Sequence, residues 1–115
     1  MLARAHRLSS AADIARAYKR GTYGGSGGIL SVKAVRSGRS QSRAVVVVAK
    51  KISKRAVVRN HIRRRLVEAL REHWATVSPG YDIVISVHSD LTELSAASLA
   101  GHLQQALARA GVAII

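Results

Sequence analysis

The residues with the clearest chemical potential form one cationic stretch, "KKISKRAVVRNHIRRR", which runs from Lys50 to Arg65. The stretch holds eight Lys or Arg side chains, one His and no carboxylate. Ammonium and guanidinium groups donate charged hydrogen bonds that suit phosphate oxygens. The stretch therefore indicates binding of a polyanion by cations, with no acid in it to perform acid–base chemistry.

Charge in the whole chain is unbalanced and unevenly placed. The sequence has 19 Lys and Arg against 6 Asp and Glu, a formal charge of +13, and no acid stands between Asp13 and Glu68. A solvated helix face normally alternates acids with bases, and cations at a helix N-terminus oppose its macrodipole. Bound phosphate would reverse both penalties. The longest apolar runs are strand-sized, so nucleic acid is a better partner than a membrane.

The inventory of reactive side chains argues against a self-contained enzyme. Only Glu68 and Glu72 share a helical face, and salt bridges with Arg65 or Arg71 explain them more simply than catalysis. The five His, at positions 6, 61, 73, 88 and 102, have no close metal-ligand spacing, and there is no Cys. We therefore expect no catalytic side chain and no metal bound by the protein alone. The carboxylates are Asp13, Glu68, Glu72, Asp82, Asp90 and Glu93.

Aromatic side chains are scarce, since the chain has three Tyr, one Trp and no Phe. This composition argues against a sheet that stacks several bases and leaves one or two stacking contacts at most. Tyr18 and Tyr23 are the candidates, although core packing explains Tyr18 equally well. Trp74 closes the apolar side of a helix and is expected in the core.

The first half of the chain should supply a helix and a hairpin. Ser9 or Ser10 can cap a helix over about Ala11 to Arg20, which Gly21 can end. The stretch "GTYGGSGG" holds five Gly in eight residues and predicts a flexible loop, and it lacks the ending of a P-loop. "ILSVKAV" and "SRAVVVVAK" then suggest a hairpin, whose second strand is apolar enough to be central and covered on both faces.

The second half predicts a helix, a strand and a helix. Val58, Ile62, Leu66 and Leu70 recur at helical spacing, so this helix has one apolar stripe and is cationic on most other sides. "YDIVISVH" follows as a strand, and "LSAASLAGHLQQALARAG" as a last helix with Ser95 as its cap. The result is one α+β domain over residues 1–115, with elements in the order α-β-β-α-β-α and helices packed on one mixed sheet of about four strands.

The stretch "KKISKRAVVRNHIRRRLVEAL" resembles the signature of the protein subunit of bacterial ribonuclease P, which reads roughly KK-x-G-x-A-V-x-R-N-R-I-K-R-x-x-R-E. The N-terminal "HRLSSAADIARAYKRG" is similar to the family's first helix. Two positions depart from the pattern. His61 replaces the second Arg of the Arg-Asn-Arg motif, which would make its contact depend on pH, and Val67 replaces a later Arg.

The resemblance implies an α/β sandwich in which a left-handed crossover joins two parallel strands, against the usual right-handed rule. It implies that a large RNA performs the chemistry with Mg²⁺, which the RNA mainly holds. The protein would bind this RNA and grip the 5′ leader of precursor tRNA in a cleft between the sheet and the first helix. No membrane and no obligate protein partner are implied.

The resemblance and the charge pattern assign residues to both roles. Binding of the catalytic RNA falls to Lys50, Lys51, Lys54, Arg55, Arg59, Asn60, His61, Arg63, Arg64 and Arg65. Binding of the leader falls to Ile14, Tyr18, Val32, Arg43, Val46 and Val48.

The leading hypothesis is thus an RNA-binding accessory subunit that helps to remove the 5′ leader from precursor tRNA. The alternative is a structural RNA-binding protein of the ribosomal-protein or assembly-factor type, and a DNA-binding protein comes third. The N-terminus lacks the apolar region of a secretory signal, so a cytoplasmic location is expected.

Overall fold

Four strands and three α-helices make up the fold in the computed structural model, which describes residues 2–113. The helices are α1 (Ala11–Arg20), α2 (Ala56–Glu72) and α3 (Ala96–Arg109), and the strands are β1 (Thr22–Ser26), β2 (Leu30–Arg36), β3 (Arg43–Val47) and β4 (Tyr81–Val87). Their order in the sheet is β1-β2-β4-β3. The β1–β2 and β2–β4 pairs are antiparallel and the β3–β4 pair is parallel. The predicted α+β class with a mixed four-stranded sheet is confirmed, while the handedness of the crossover through α2 stays a prediction.

Local sequence signals set the ends of α1 and α3. The Ser10 hydroxyl accepts a hydrogen bond from the Asp13 amide at 3.4 Å, and the Gly21 amide donates to the Ala17 carbonyl at 2.8 Å. In α3 the Ser95 hydroxyl accepts from the Ser98 amide at 3.1 Å. These hydroxyls satisfy backbone donors that the first turn of a helix leaves free, so the predicted caps are confirmed.

Helix α2 depends on tertiary packing, because its N-terminus has no side-chain cap. Its predicted apolar stripe is confirmed, since Ile62, Leu66 and Leu70 are each 0% exposed. Burial of one such side chain contributes about 1.5–3 kcal/mol. The stripe therefore holds α2 against the sheet and leaves the rest of its circumference to charged residues.

The two faces of the sheet have different partners. We call the face covered by α2 and α3 the core face, and the face crossed by α1 the α1 face. The core face carries Leu30, Val32, Ala34, Ala44, Val46, Val48, Ile83, Ile85 and Val87, all buried. The α1 face has a smaller cluster made by Leu8, Ala17 and Val84, with Ile14, Val35, Val45 and Val47 partly buried around it.

The prediction of a flexible loop over "GTYGGSGG" is wrong, because Thr22–Ser26 forms the edge strand β1. The predicted order of elements therefore lacks one strand. A Cβ atom on Gly24 would lie 2.3 Å from both the Ala106 carbonyl oxygen and the Ala110 amide nitrogen. Glycine at position 24 allows the backbone of α3 to approach the strand. Within the glycine-rich stretch, positive φ angles occur only at Gly27 and Gly28, in the turn that follows β1.

The predicted hairpin between β2 and β3 is also wrong, because β4 lies between these two strands. β3 is consequently an edge strand and not the central one. Its outer edge is partly covered by the N-terminal segment, where the Leu8 amide donates to the Ala44 carbonyl at 3.0 Å. Alternate residues of β3 face the core face and the α1 face, which explains an apolar run in a strand at the edge.

Candidate nucleic-acid interface

The outer surface of α2, with the loop before it, gathers most of the predicted catalytic-RNA-binding residues. We call this set the α2 surface. Every member except Arg59 and Arg63, which are half-buried, is exposed. The members are Lys50, Lys51, Lys54, Arg55, Arg59, Asn60, His61, Arg63 and Arg64. Since they include no acid, the surface has an uncompensated positive potential.

Two arginines of the α2 surface also organise it. The guanidinium of Arg59 donates to the Ser53 carbonyl at 2.9 Å, which ties the preceding loop to the first turn of the helix. The guanidinium of Arg63 donates to the Asn60 side-chain oxygen at 2.6 Å. These contacts orient the side chains and still leave guanidinium donors for phosphate, because a guanidinium has five N–H groups.

Arg65, which was also predicted to bind the catalytic RNA, differs from its neighbours. Its guanidinium donates to the Leu91 carbonyl at 2.8 Å and also to the carbonyls of Thr92 and Leu94. All three acceptors lie in the connection between β4 and α3. The contacts of Arg65 are therefore those of a residue that holds this connection against α2.

Two depressions border the α2 surface. One, of about 340 Å³, is lined by Val57, Asn60, Arg63 and Arg64, and Val57 is 71% exposed. The other is an apolar groove of about 460 Å³ at the outer edge of β3. It lies between the N-terminal segment and α2, and its lining includes Val45, Val67, Arg63 and Arg64. The groove thus connects the α2 surface with the α1 face.

The α1 face carries two of the six predicted leader-binding residues in accessible positions. Tyr18 is 42% exposed, and its hydroxyl lies 3.1 Å from the Ser86 hydroxyl of β4. Ile14 is half-buried and, like Val45 and Val47, packs against the small cluster of this face. Tyr18 is consequently fixed at its hydroxyl end while part of its ring remains open to a partner.

Val32, Val46 and Val48 lie on the wrong face for the predicted leader cleft. They are 0%, 5% and 6% exposed and belong to the principal core under α2 and α3. Side chains alternate between the faces of a strand, so an error of one residue exchanges the two sets. The α1 face instead presents their neighbours, Val45 and Val47.

Arg43, the remaining leader-binding candidate, is held by two carboxylates. Its guanidinium donates to both Asp82 oxygens, at 3.0 and 2.8 Å, and to Asp13 at 3.1 Å. Asp82 is 0% exposed. The hydrogen bonds that Arg43 donates to Asp82 raise the pKa of Arg43, and the hydrogen bond that it donates to Asp13 lowers the pKa of Asp13. Arg43 therefore anchors α1 to the sheet and has little freedom to bind phosphate.

Sequence reasoning missed a polar strip on the α1 face, between Tyr18 and the β1 edge. Lys33 on β2 and Tyr23 on β1 are directly opposite each other in the antiparallel pair, so their side chains share a face. Ser31 lies two residues before Lys33, and its hydroxyl is 2.7 Å from a ring nitrogen of His88. The alternation of side chains along β2 could have indicated this strip. It would have done so only if the glycine-rich stretch had been recognised as the neighbouring strand.

The acids and histidines do not assemble into a recognisable metal centre. Within residues 2–113, no three of the His, Asp or Glu side chains come close enough together to hold an ion. Glu68 instead pairs with Arg71, as its spacing predicted, and this pairing lowers the pKa of Glu68. No helix that the structure describes is long and apolar enough to span a membrane.

Comparisons with known proteins agree on one family. A family model described as Ribonuclease P matches residues 2–111. The ribonuclease P protein component of Roseiflexus castenholzii is 41% identical over 86 residues, which is 74% of this chain and 70% of the relative. The corresponding protein of a Cyanothece species is 31% identical over 127 aligned positions and covers 97% of both chains.

Solved structures resemble this one in fold. The ribonuclease P protein of Staphylococcus aureus superposes with a TM-score of 0.81 at 24% identity. The match covers 95% of this chain and 98% of the other. The arrangement of helices and strands described above is thus one that has been solved experimentally.

Proposed function

The chain belongs to the ribonuclease P protein family, and from this premise we propose how its surface is divided between two RNAs. As a family member it is the accessory protein subunit of an endoribonuclease that acts in the maturation of tRNA 5′ ends. In our proposal the α2 surface binds the catalytic RNA, and the open part of the α1 face binds the 5′ leader of precursor tRNA.

The observation that carries the proposal is the one-sidedness of α2. Its apolar stripe is buried, and the exposed positions Asn60, His61 and Arg64 have no acid beside them until Glu68. Such a surface is unfavourable in isolation and becomes favourable when phosphates neutralise it. The depression lined by Val57, Asn60, Arg63 and Arg64 would receive a phosphate group of the RNA backbone.

The leader role rests on the α1 face next to this surface. The face combines two exposed aromatic rings, Tyr18 and Tyr23, with the half-buried aliphatic side chains of Ile14, Val45 and Val47. Aromatic rings bind single-stranded RNA with little dependence on sequence, because every base has a flat face. The groove at the edge of β3 connects this face to Arg63 and Arg64, which allows one RNA assembly to contact both.

Mg²⁺ belongs with the RNA in this proposal. Magnesium prefers oxygen ligands in near-octahedral geometry. On α2 the only neutral side-chain oxygen near the cations is that of Asn60, which already accepts from Arg63. These residues do not fit a magnesium site of their own. The protein would contribute affinity and positive potential, while metal-dependent hydrolysis takes place on RNA ligands.

Reconstitution tests the proposed function. The protein is mixed with a bacterial ribonuclease P RNA and a precursor tRNA at low Mg²⁺, and the rate of leader removal is measured. We expect clear stimulation over the RNA alone. Cleavage that is unchanged by the protein would contradict the proposal and favour a purely structural RNA-binding role.

Two variants separate the surfaces. Arg63→Ala should weaken affinity for the catalytic RNA, because it removes a cation from the α2 surface. Tyr18→Ala should chiefly weaken binding of leader-bearing substrate by the assembled enzyme, with mature tRNA as the control. If both variants impaired the same step to the same extent, the division into two surfaces would be wrong.

A further inference from the structure

The edge strand β1 carries an aromatic ring that the fold does not use. Tyr23 is 60% exposed, more than Tyr18 at 42%, while Trp74 and Tyr81 are half-buried. An aromatic ring contributes stability when it is buried, so this degree of exposure leaves most of that gain unrealised. The ring instead lies on the α1 face, on the same side of the sheet as the accessible part of Tyr18.

Gly25 supports this ring. A Cβ atom on Gly25 would lie 2.8 Å from the Tyr23 hydroxyl oxygen and 3.3 Å from its Cε1 and Cζ atoms. The ring therefore lies along the strand, over a residue that has no side chain, and most of its surface remains open to solvent. Gly25 does not have a positive φ angle, so the backbone does not require glycine here. Its lack of a side chain makes room for the ring.

A positively charged side chain neighbours Tyr23 in the sheet. Lys33 is the direct cross-strand neighbour of Tyr23, and within the part of the chain that the structure describes its ammonium makes no ion pair or hydrogen bond. The Gly25 carbonyl accepts from the Arg109 guanidinium at 2.9 Å, which fixes the strand to the end of α3. Flat aromatic surface, a fixed strand and a free ammonium are the components of a site for one nucleotide.

We propose that Tyr23, lying on Gly25 and flanked by Lys33, is a stacking platform for one base of a single-stranded RNA. The inference rests on the proposed function and names a further subsite for the leader. Ser86 lies two strands away from Tyr23 across the sheet and two residues further along the strand direction. The Cα atoms of Tyr23 and Ser86 are therefore about 12 Å apart. Tyr18 contacts Ser86, so the two rings would hold bases at separate positions along one strand.

A leader series tests the platform in the assembled enzyme. Precursor tRNAs are prepared whose leaders lengthen one nucleotide at a time, and the dissociation constant of each is measured with wild-type protein, Tyr23→Ala and Tyr23→Phe. We expect wild type and Tyr23→Phe to gain affinity at one added nucleotide. Tyr23→Ala should lose that gain, on the order of tenfold, because stacking of one base is involved.

Gly25→Ala supplies a second, independent variant. The added methyl group must displace the Tyr23 ring, which is flexible, while the backbone keeps an ordinary conformation. We expect the same loss of affinity in Gly25→Ala, and no additional loss when it is combined with Tyr23→Ala. Thr22→Ala is the matched control, since Thr22 is exposed on the same strand and faces the opposite side.

The outcomes separate this inference from the proposed function. If wild type prefers leader-bearing substrate and Tyr23→Ala follows the same length dependence, the platform is refuted and the leader role stands. If wild type shows no preference for a leader, the proposed function itself fails. Additive effects of Gly25→Ala and Tyr23→Ala would also contradict the contact between the ring and the glycine.

Discussion

Arg64 and Arg65 are adjacent in α2 and carry the same group, but their surroundings assign them different roles. Arg64 is exposed on the α2 surface, whereas Arg65 donates to three carbonyls between β4 and α3. We expect Arg65→Ala to lower the free energy of unfolding by about 1–3 kcal/mol, because carbonyl acceptors, two of them in partly buried hydrogen bonds, lose a charged donor. Arg64→Ala should change it by less than about 0.5 kcal/mol and should weaken RNA binding instead. Urea unfolding and RNA titration of both variants check this pair, and equal effects on stability would contradict it.

Asp13 gives the anchoring of α1 a pH dependence. Its pKa lies below the ordinary value of 3.8 because Arg43 donates a hydrogen bond to the carboxylate. The unfolded chain therefore binds this proton more readily, so the contribution to stability is complete above pH 3.8 and is lost as the pH falls through the lower folded value. Asp13→Asn should remove this dependence.

Unfolding by urea at a series of acidic pH values provides the measurement for Asp13. The difference in unfolding free energy between wild type and Asp13→Asn should shrink as the pH falls below about 4. Glu93→Gln, which removes an exposed carboxylate away from Arg43, is the matched control. A difference that stays constant with pH would show that the Asp13 carboxylate does not stabilise the fold through its charge.

The contact between β1 and α3 depends on a glycine. A methyl group on Gly24 would overlap backbone atoms of Ala106 and Ala110, so we expect Gly24→Ala to destabilise the protein by about 1–3 kcal/mol or more. Gly101→Ala is a control that should change the stability in the opposite direction. Gly101 lies in the interior of α3 with open space around it, and Ala there should stabilise the helix by up to about 1 kcal/mol. Thermal unfolding of both variants provides the measurement, and stabilisation by Gly24→Ala would contradict the close approach.

Helices were predictable from the sequence because their signals are local. Ser10, Gly21 and Ser95 mark helix ends through bonds within a few residues, and the stripe of α2 repeats along one segment. Strand partners were not predictable in the same way, since the insertion of β4 between β2 and β3 is a pairing over long sequence distance.

The same difference between local and long-range signals applies to the candidate site. The α2 surface could be predicted because one helix carries most of it, whereas the contacts of Arg65 with the connection between β4 and α3 could not. The predicted leader residues come from two strands and a helix, so an error of one residue placed Val32, Val46 and Val48 on the α1 face when they belong to the core face. The ion pairs of Arg43 with Asp13 and Asp82 could not be predicted either, because they depend on which strands are neighbours in the sheet.

The edge position of β3 gives the molecule its functional geometry. Because no strand formed by residues 2–113 lies beyond β3, the α2 surface on one side of the sheet and the α1 face on the other meet at a groove lined by Val45, Arg63 and Arg64. A central β3 would have separated the two surfaces by another strand. Under the proposed function, RNA would contact both surfaces at this end of the sheet, where the α2 surface carries part of the formal charge of +13.

Salt dependence of RNA binding tests this arrangement for the molecule as a whole. If about six phosphates are neutralised, the logarithm of the association constant for the catalytic RNA should fall against the logarithm of salt concentration with a slope on the order of −4 to −5. Arg64→Ala removes one cation from the α2 surface and should make the slope shallower by about 1. Tyr18→Ala removes no charge and should leave the slope unchanged. A wild-type slope near zero would contradict the electrostatic basis of binding. An unchanged slope in Arg64→Ala would show that Arg64 does not contact an RNA phosphate.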